Sequence, residues 1–143
     1  MNTGENTSIT ISTTVNAPVK TVWDYFSNPE HITKWNFASD DWHSPKAEND
    51  LRAGGKFSSR MEAKDGSFGF DFSGVYDEVK SHELIAYTLE DGRKVKVSFE
   101  ETGSTTYIVE TFEAEGTHSY EMQRDGWQAI LNNFKKYVEA SEK

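Results

Sequence analysis

The chain has 143 residues, with 15 Lys and Arg against 24 Asp and Glu, a net charge of −9, and no Cys. A negative chain without a basic cluster repels a phosphate backbone, so nucleic-acid binding is excluded, and the absence of Cys excludes disulfides, thiolate catalysis and Cys-ligated zinc. No apolar run approaches the ~18–20 residues of a membrane span, and the start, MNTGENTSITIS, lacks the basic and apolar stretches of an export signal, so a cytoplasmic chain is expected.

Leu, Ile, Val and Phe make up 28 residues, just under the ~20% below which a charged chain tends to disorder. The 19 Phe, Trp and Tyr compensate, each able to bury roughly 150–250 Å². One domain over residues 1–143 follows, with frayed ends and order from about residue 8 to about residue 140.

In chain order, Ile9, Ile11, Thr13 and Val15 alternate with Thr10, Ser12 and Thr14, the period of a half-buried strand. Pro18 suits the first turn of a helix on which Val19, Val22, Trp23 and Phe26 form one apolar face. Asn28 offers an N-cap and Pro29 a first-turn residue for a second short helix carrying Ile32 and Trp35. The segment Asn36 to Asp50 reads as a polar loop, with Phe37 and Trp42 as its two rings.

From Ala47 to Ala114 strands alternate with Gly-centred turns at Gly54-Gly55, Asp65-Gly66, Asp91-Gly92 and Gly103. The strands are Phe57/Ser59/Met61, Phe68/Phe70/Phe72/Gly74/Tyr76, Ile85/Tyr87/Leu89, Val95/Val97/Phe99 and Thr106/Ile108/Glu110/Phe112. Each has one mainly apolar face, as in an antiparallel meander covered on one side and wet on the other. The cover is a long amphipathic helix from about Ser119 to Glu139, with Tyr120, Trp127, Ile130, Leu131, Phe134, Tyr137 and Val138 on its stripe. Thr117 or Ser119 is placed to cap it. Gly126 beside Trp127 suggests a close approach of helix backbone to sheet.

The order β-α-α-β(5–6)-α, with APVKTVWDYFSNPEHITKW (Ala17 to Trp35), LRAGGKFSSRM (Leu51 to Met61), FDFSGVYDEV (Phe70 to Val79) and Gly126-Trp127 followed by Leu131, resembles the START-like or helix-grip (SRPBCC) superfamily. Within it the chain is similar to the small bacterial homologues of the activator of the 90-kDa heat-shock protein ATPase, from about Ile9 to Tyr137. The resemblance implies an α+β fold: a curved antiparallel sheet wrapped around the long C-terminal helix, with an apolar cavity between them. It implies no single reaction, since the superfamily spans lipid carriers, hormone sensors, polyketide cyclases and co-chaperones.

On this arrangement Trp23, Phe26, Trp35, Phe57, Met61, Phe70, Phe72, Tyr87, Val97, Phe99, Ile108, Phe112, Met122, Trp127 and Leu131 face the gap between helix and sheet. They either pack it solid or line a pocket for a hydrophobic small molecule. The rings, with Leu present at only four positions, favour a pocket. Glu110 shares the parity of Ile108 and Phe112 and turns a carboxyl inward, where burial raises its pKa unless a cation pairs with it. It is a candidate to orient a ligand's hydroxyl or amine, or to act as an acid or base; a buried ion pair or a sheet-edge position are the plain alternatives. Tyr87 and Tyr120 are candidate phenol donors, and Phe37 and Trp42 either cap the cavity mouth or anchor a surface loop.

The four His show no metal-ligand spacing, and His31, His82 and His118 fall in contexts that read as surface. No nucleophile motif or phosphate-binding loop is present, and no metal or cofactor is called for. The leading expectation is a binding protein for a lipid-like or aromatic molecule, with those sixteen residues, Glu110 included, as its ligand-binding set. The alternatives are a cyclase-like or hydrolase-like enzyme using the same cavity, and a partner of a heat-shock ATPase. The eukaryotic activators carry an additional N-terminal domain for that last contact, for which 143 residues leave no room. A monomer or weak homodimer is expected.

Overall fold

The computed structural model describes residues 8–116 and 118–141. Its elements run β1 (Ser8–Val15), α1 (Val19–Ser27), α2 (Pro29–Trp35), β2 (Trp42–Asn49), β3 (Lys56–Ala63), β4 (Gly69–Lys80), β5 (Leu84–Leu89), β6 (Lys94–Thr102), β7 (Thr105–Glu113) and α3 (Tyr120–Ser141). All seven strands join one antiparallel sheet in the order β1-β7-β6-β5-β4-β3-β2. The sheet curls around α3, so the α+β helix-grip architecture holds, with six strands between α2 and α3.

Successive hairpins supply every pairing except one: β1 closes onto β7, setting Ile11 opposite Glu110 and Ile9 opposite Phe112. Period-two alternation turns Ile9, Ile11, Val95, Val97, Ile108 and Phe112 to the concave face, where all are buried. Irregular register between Tyr76 and Glu78 on β4, and between His43 and Lys46 on β2, marks bulges that bend the sheet. Among the described residues no helix is long and apolar enough to cross a membrane.

Two glycines are demanded by their surroundings. A Cβ on Gly55 would sit 2.0 Å from the Asp50 carbonyl oxygen, which locks the bend into β3. On Gly74 it would meet the Thr88 carbonyl at 2.4 Å and the Phe57 ring at 3.0 Å, so the bare backbone there lets Phe57 lie across β4.

The helices begin and end for local reasons. Pro18 stands at the N-cap of α1, one residue earlier than its expected first-turn place. The Asn28 side chain accepts from the Glu30 N–H at 3.1 Å, capping α2, and Ser119 Oγ accepts from the Met122 N–H at 3.1 Å, capping α3. Thr117, the other expected cap, lies outside the described residues. Leu131, Phe134 and Val138 bury the C-terminal part of α3 in the core, where Phe134 meets Trp35 and Phe26 edge-on at 4.8 and 5.2 Å.

Three expectations need correction. The supposed loop from Asn36 to Asp50 contains β2, an edge strand, where Pro45 is tolerated because it falls in the bulge. Gly126 makes no close approach, since a Cβ there would meet no atom within 4 Å. His31 is half-buried: it stacks on Tyr25 at 4.0 Å and hydrogen-bonds the Tyr137 hydroxyl at 2.7 Å.

Candidate functional site

Between the concave sheet and the N-terminal half of α3 lies a cavity of about 340 Å³. Its floor comes from β3, β4 and β5, through Phe57, Ser59, Met61, Phe70, Phe72, Tyr76, Ile85 and Tyr87. Its roof is Gln123, Trp127, Ile130 and Leu131 of α3. One end is closed by Phe26, Ser27, Ile32, Trp35 and Asn36, and the other is rimmed by Arg93, Glu115 and His118. Space remains because flat rings bridge it edge to face without filling it: Phe72 meets Trp127 at 6.0 Å, and Phe57 meets Tyr87 at 4.8 Å.

Ten of the sixteen expected residues stand on this wall: Phe26, Trp35, Phe57, Met61, Phe70, Phe72, Tyr87, Glu110, Trp127 and Leu131. Five others belong to the solid core. Trp23 packs edge-on against Phe99 at 5.2 Å, Val97 and Ile108 are fully buried, and Phe112 lies flat against Trp127 at 4.0 Å. The sheet curls closest to the helices there, so these side chains fill the gap instead of bordering a space. Met122 is the clear miss: it points to solvent with 60% of its surface exposed.

Tyr120 is exposed too and borders a surface hollow with Ser8, Ile9 and Thr10. Neither Phe37 nor Trp42 reaches the cavity wall. Trp42 instead gathers Phe68 and Phe70 into a cluster of rings on the outer strands, with centroids 6.0 and 6.1 Å from its own.

Glu110 sits mid-strand on β7, between Ile11 of β1 and Val97 of β6, and is only 7% exposed. No described residue hydrogen-bonds its carboxyl, and burial alone pushes its pKa up to about 8. Burial also raises Tyr87, reinforced by the Glu110 charge, and raises Tyr76, whose hydroxyl donates to Asn49 Oδ1. At neutral pH the wall therefore presents a protonated carboxyl and two protonated phenols among hydrocarbon.

The basic rim side chains are already engaged: Arg93 with Asp91 at 2.8 Å, and His118 with Glu115 at 3.0 Å. Among the described residues no group of three or more His, Asp or Glu is placed to hold a metal.

Several polar wall residues escape a reading of the sequence. Gln123 is the most tightly held: its Nε2 donates to the Glu115 and His118 carbonyls at 3.1 and 2.8 Å, and its Oε1 accepts from the Glu115 N–H at 2.8 Å. Its signal was its place four residues before Trp127 and eight before Leu131, on the same helical face. Ser59 was similarly marked by its parity between Phe57 and Met61. Asn36, Arg93 and Glu115 carried no such mark, since polar residues at element ends look alike in a sequence.

A solution structure of an AHSA1-like protein from Aeromonas hydrophila is 41% identical, covers 95% of this chain and 94% of its own, and superposes with a TM-score of 0.90. The solution structure of Chr148 from Cytophaga hutchinsonii is 55% identical, over 94% of this chain and 93% of its own, with a TM-score of 0.81. Protein CV1439 from Chromobacterium violaceum, at 23% identity over 93% of this chain and 98% of its own, shares the fold with a TM-score of 0.83. No curated protein matches the chain. The family model for Activator of Hsp90 ATPase homolog 1-like proteins matches residues 16–139, and the chain belongs to that family.

Proposed function

We propose that this protein binds a hydrophobic small molecule in the cavity between the sheet and α3. The observation that carries the reading is the cavity itself: about 340 Å³ walled by rings from three strands and three helices, within the range of small-molecule sites. A space of this size lined by hydrocarbon leaves dispersion contacts unmade, and an apolar occupant restores them. Among the polar groups on the wall, Gln123 and Tyr76 are fixed by hydrogen bonds, which suits orientation of a ligand more than general stickiness. The binder is read as a carrier or sensor, because among the described residues Glu110 has no acid–base partner at hydrogen-bond distance.

The test is an NMR titration of the labelled chain with lipids, flavonoid-like aromatics and polyketide fragments. Saturable shifts centred on Phe57, Phe72, Tyr87 and Trp127 are expected, together with a higher melting temperature. Ligand at 100 times its Kd adds about 2.7 kcal/mol. Shifts confined to the outer surface, or none, would overturn the reading.

A further inference from the structure

Among the described residues Glu110 is the one buried acidic side chain, carried inward by the middle of a strand, and none of them hydrogen-bonds its carboxyl. Its flanking neighbours on the concave face, Ile11 and Val97, are apolar. The other titratable groups on the wall are Tyr76 and Tyr87, both held protonated by burial, and the engaged rim groups Arg93, Glu115 and His118. A carboxyl buried without a partner costs stability, and a bound donor or cation would offset that cost.

What surrounds it narrows the partner. The Trp127 ring, one face of which is covered by Phe112 two residues along β7, lines the cavity, as does Tyr87, which lies close enough to feel the Glu110 charge. Aromatic rings together with a carboxyl that can ionise attract an organic cation in two ways, through the ring quadrupole and through the charge. A chain of net charge −9 also draws cations toward itself. A carboxylate ligand would gain one hydrogen bond from the protonated carboxyl but no unengaged cation to offset its own desolvation, since Arg93 pairs with Asp91 and His118 with Glu115, and a neutral alcohol would gain only an ordinary hydrogen bond.

We infer that the cavity selects hydrophobic amines, holding the ammonium group at Glu110 and the apolar body among the rings of β3, β4 and α3. This inference rests on the ligand-binding reading of the cavity and names the class of ligand. It carries a proton signature. Free Glu110 is protonated at neutral pH, and pairing with an ammonium ionises it, so the carboxyl proton passes to solvent as the amine binds.

Calorimetric titration of the whole chain at neutral pH with phenylbutylamine, phenylbutanol and phenylbutyrate, each in two buffers of different ionisation enthalpy, reads both quantities. The amine is expected to bind roughly tenfold or more tightly than the alcohol and to release close to one proton per molecule bound. In Glu110→Gln the amine's advantage over the alcohol and the proton release both disappear. If the alcohol or the acid binds as tightly as the amine, or the amine binds without releasing a proton, the amine assignment falls and the cavity reading stands. If none of the three binds, both fall.

Discussion

The two halves of α3 meet the same sheet and do opposite things. Toward the C-terminus Phe134 and Val138 are fully buried and the rings of Trp35 and Phe26 close around them. Toward the N-terminus Trp127 and Ile130 are only half-buried, and the space beside them stays open. Aromatic residues are abundant in both halves, so composition does not separate core from cavity. The separation follows the curled sheet: β1, β7 and β6 supply the enclosed Ile11, Ile108, Phe112 and Val97, whereas β3, the bulged β4 and β5 floor the cavity.

Cutting a ring from each half breaks this comparison most directly. Phe134→Ala is expected to cost about 3–5 kcal/mol in urea unfolding, because a fully enclosed ring leaves a void that cannot collapse. Phe72→Ala, at the cavity wall, should cost less than half as much, since part of that ring already faces open space. Equal losses would mean that the two halves are packed alike.

Glu110→Gln sharpens the comparison through pH. The folded state raises this carboxyl from 4.5 to about 8 and so holds its proton more tightly than the unfolded chain does. Its contribution to stability is greatest below pH 4.5, declines by up to about 1.4 kcal/mol per pH unit as pH rises toward 8, and is level above that. Wild type minus Glu110→Gln, followed by thermal unfolding across that window, should trace this decline. A flat difference would place the carboxyl in water.

Asn49→Ala tests how the closed end of the cavity is fastened. Asn49 donates to the Ser27 carbonyl and accepts from the Tyr76 hydroxyl, tying β2 to α1 and β4, and its loss should cost roughly 1–3 kcal/mol. The smallest effect is a gain. Gly126→Ala puts a methyl where nothing lies within 4 Å and should stabilise α3 by up to about 1 kcal/mol, seen as a higher melting temperature.

Much of this was legible beforehand for specific reasons. Strands β3 to β7 announced themselves by alternation between Gly turns, and the inward carboxyl of Glu110 followed from parity alone. Strand β2 did not, because WHSPKAEN contains Pro45 and lacks alternation; its pairing with β3 is one-sided, and its bulge scrambles the period. Met122 failed because it lies five residues before Trp127, off the repeat that brings helical side chains to one face. The division between wall and core had no local signal, since it depends on how far the sheet bends.

The closure of β1 onto β7 has a consequence for how the molecule is made. Ser8–Val15 is synthesised ahead of every other element of the fold, yet its partner Thr106–Glu113 and the covering helix follow all the others. The sheet therefore cannot be completed until β7 has been made, and its apolar face waits uncovered until α3 is out. Pairing across so long a stretch of chain makes folding slow for the molecule's size, on the ms–s scale of sheet-dominated domains. The interval before α3 docks is the stage at which this protein is most exposed to aggregation.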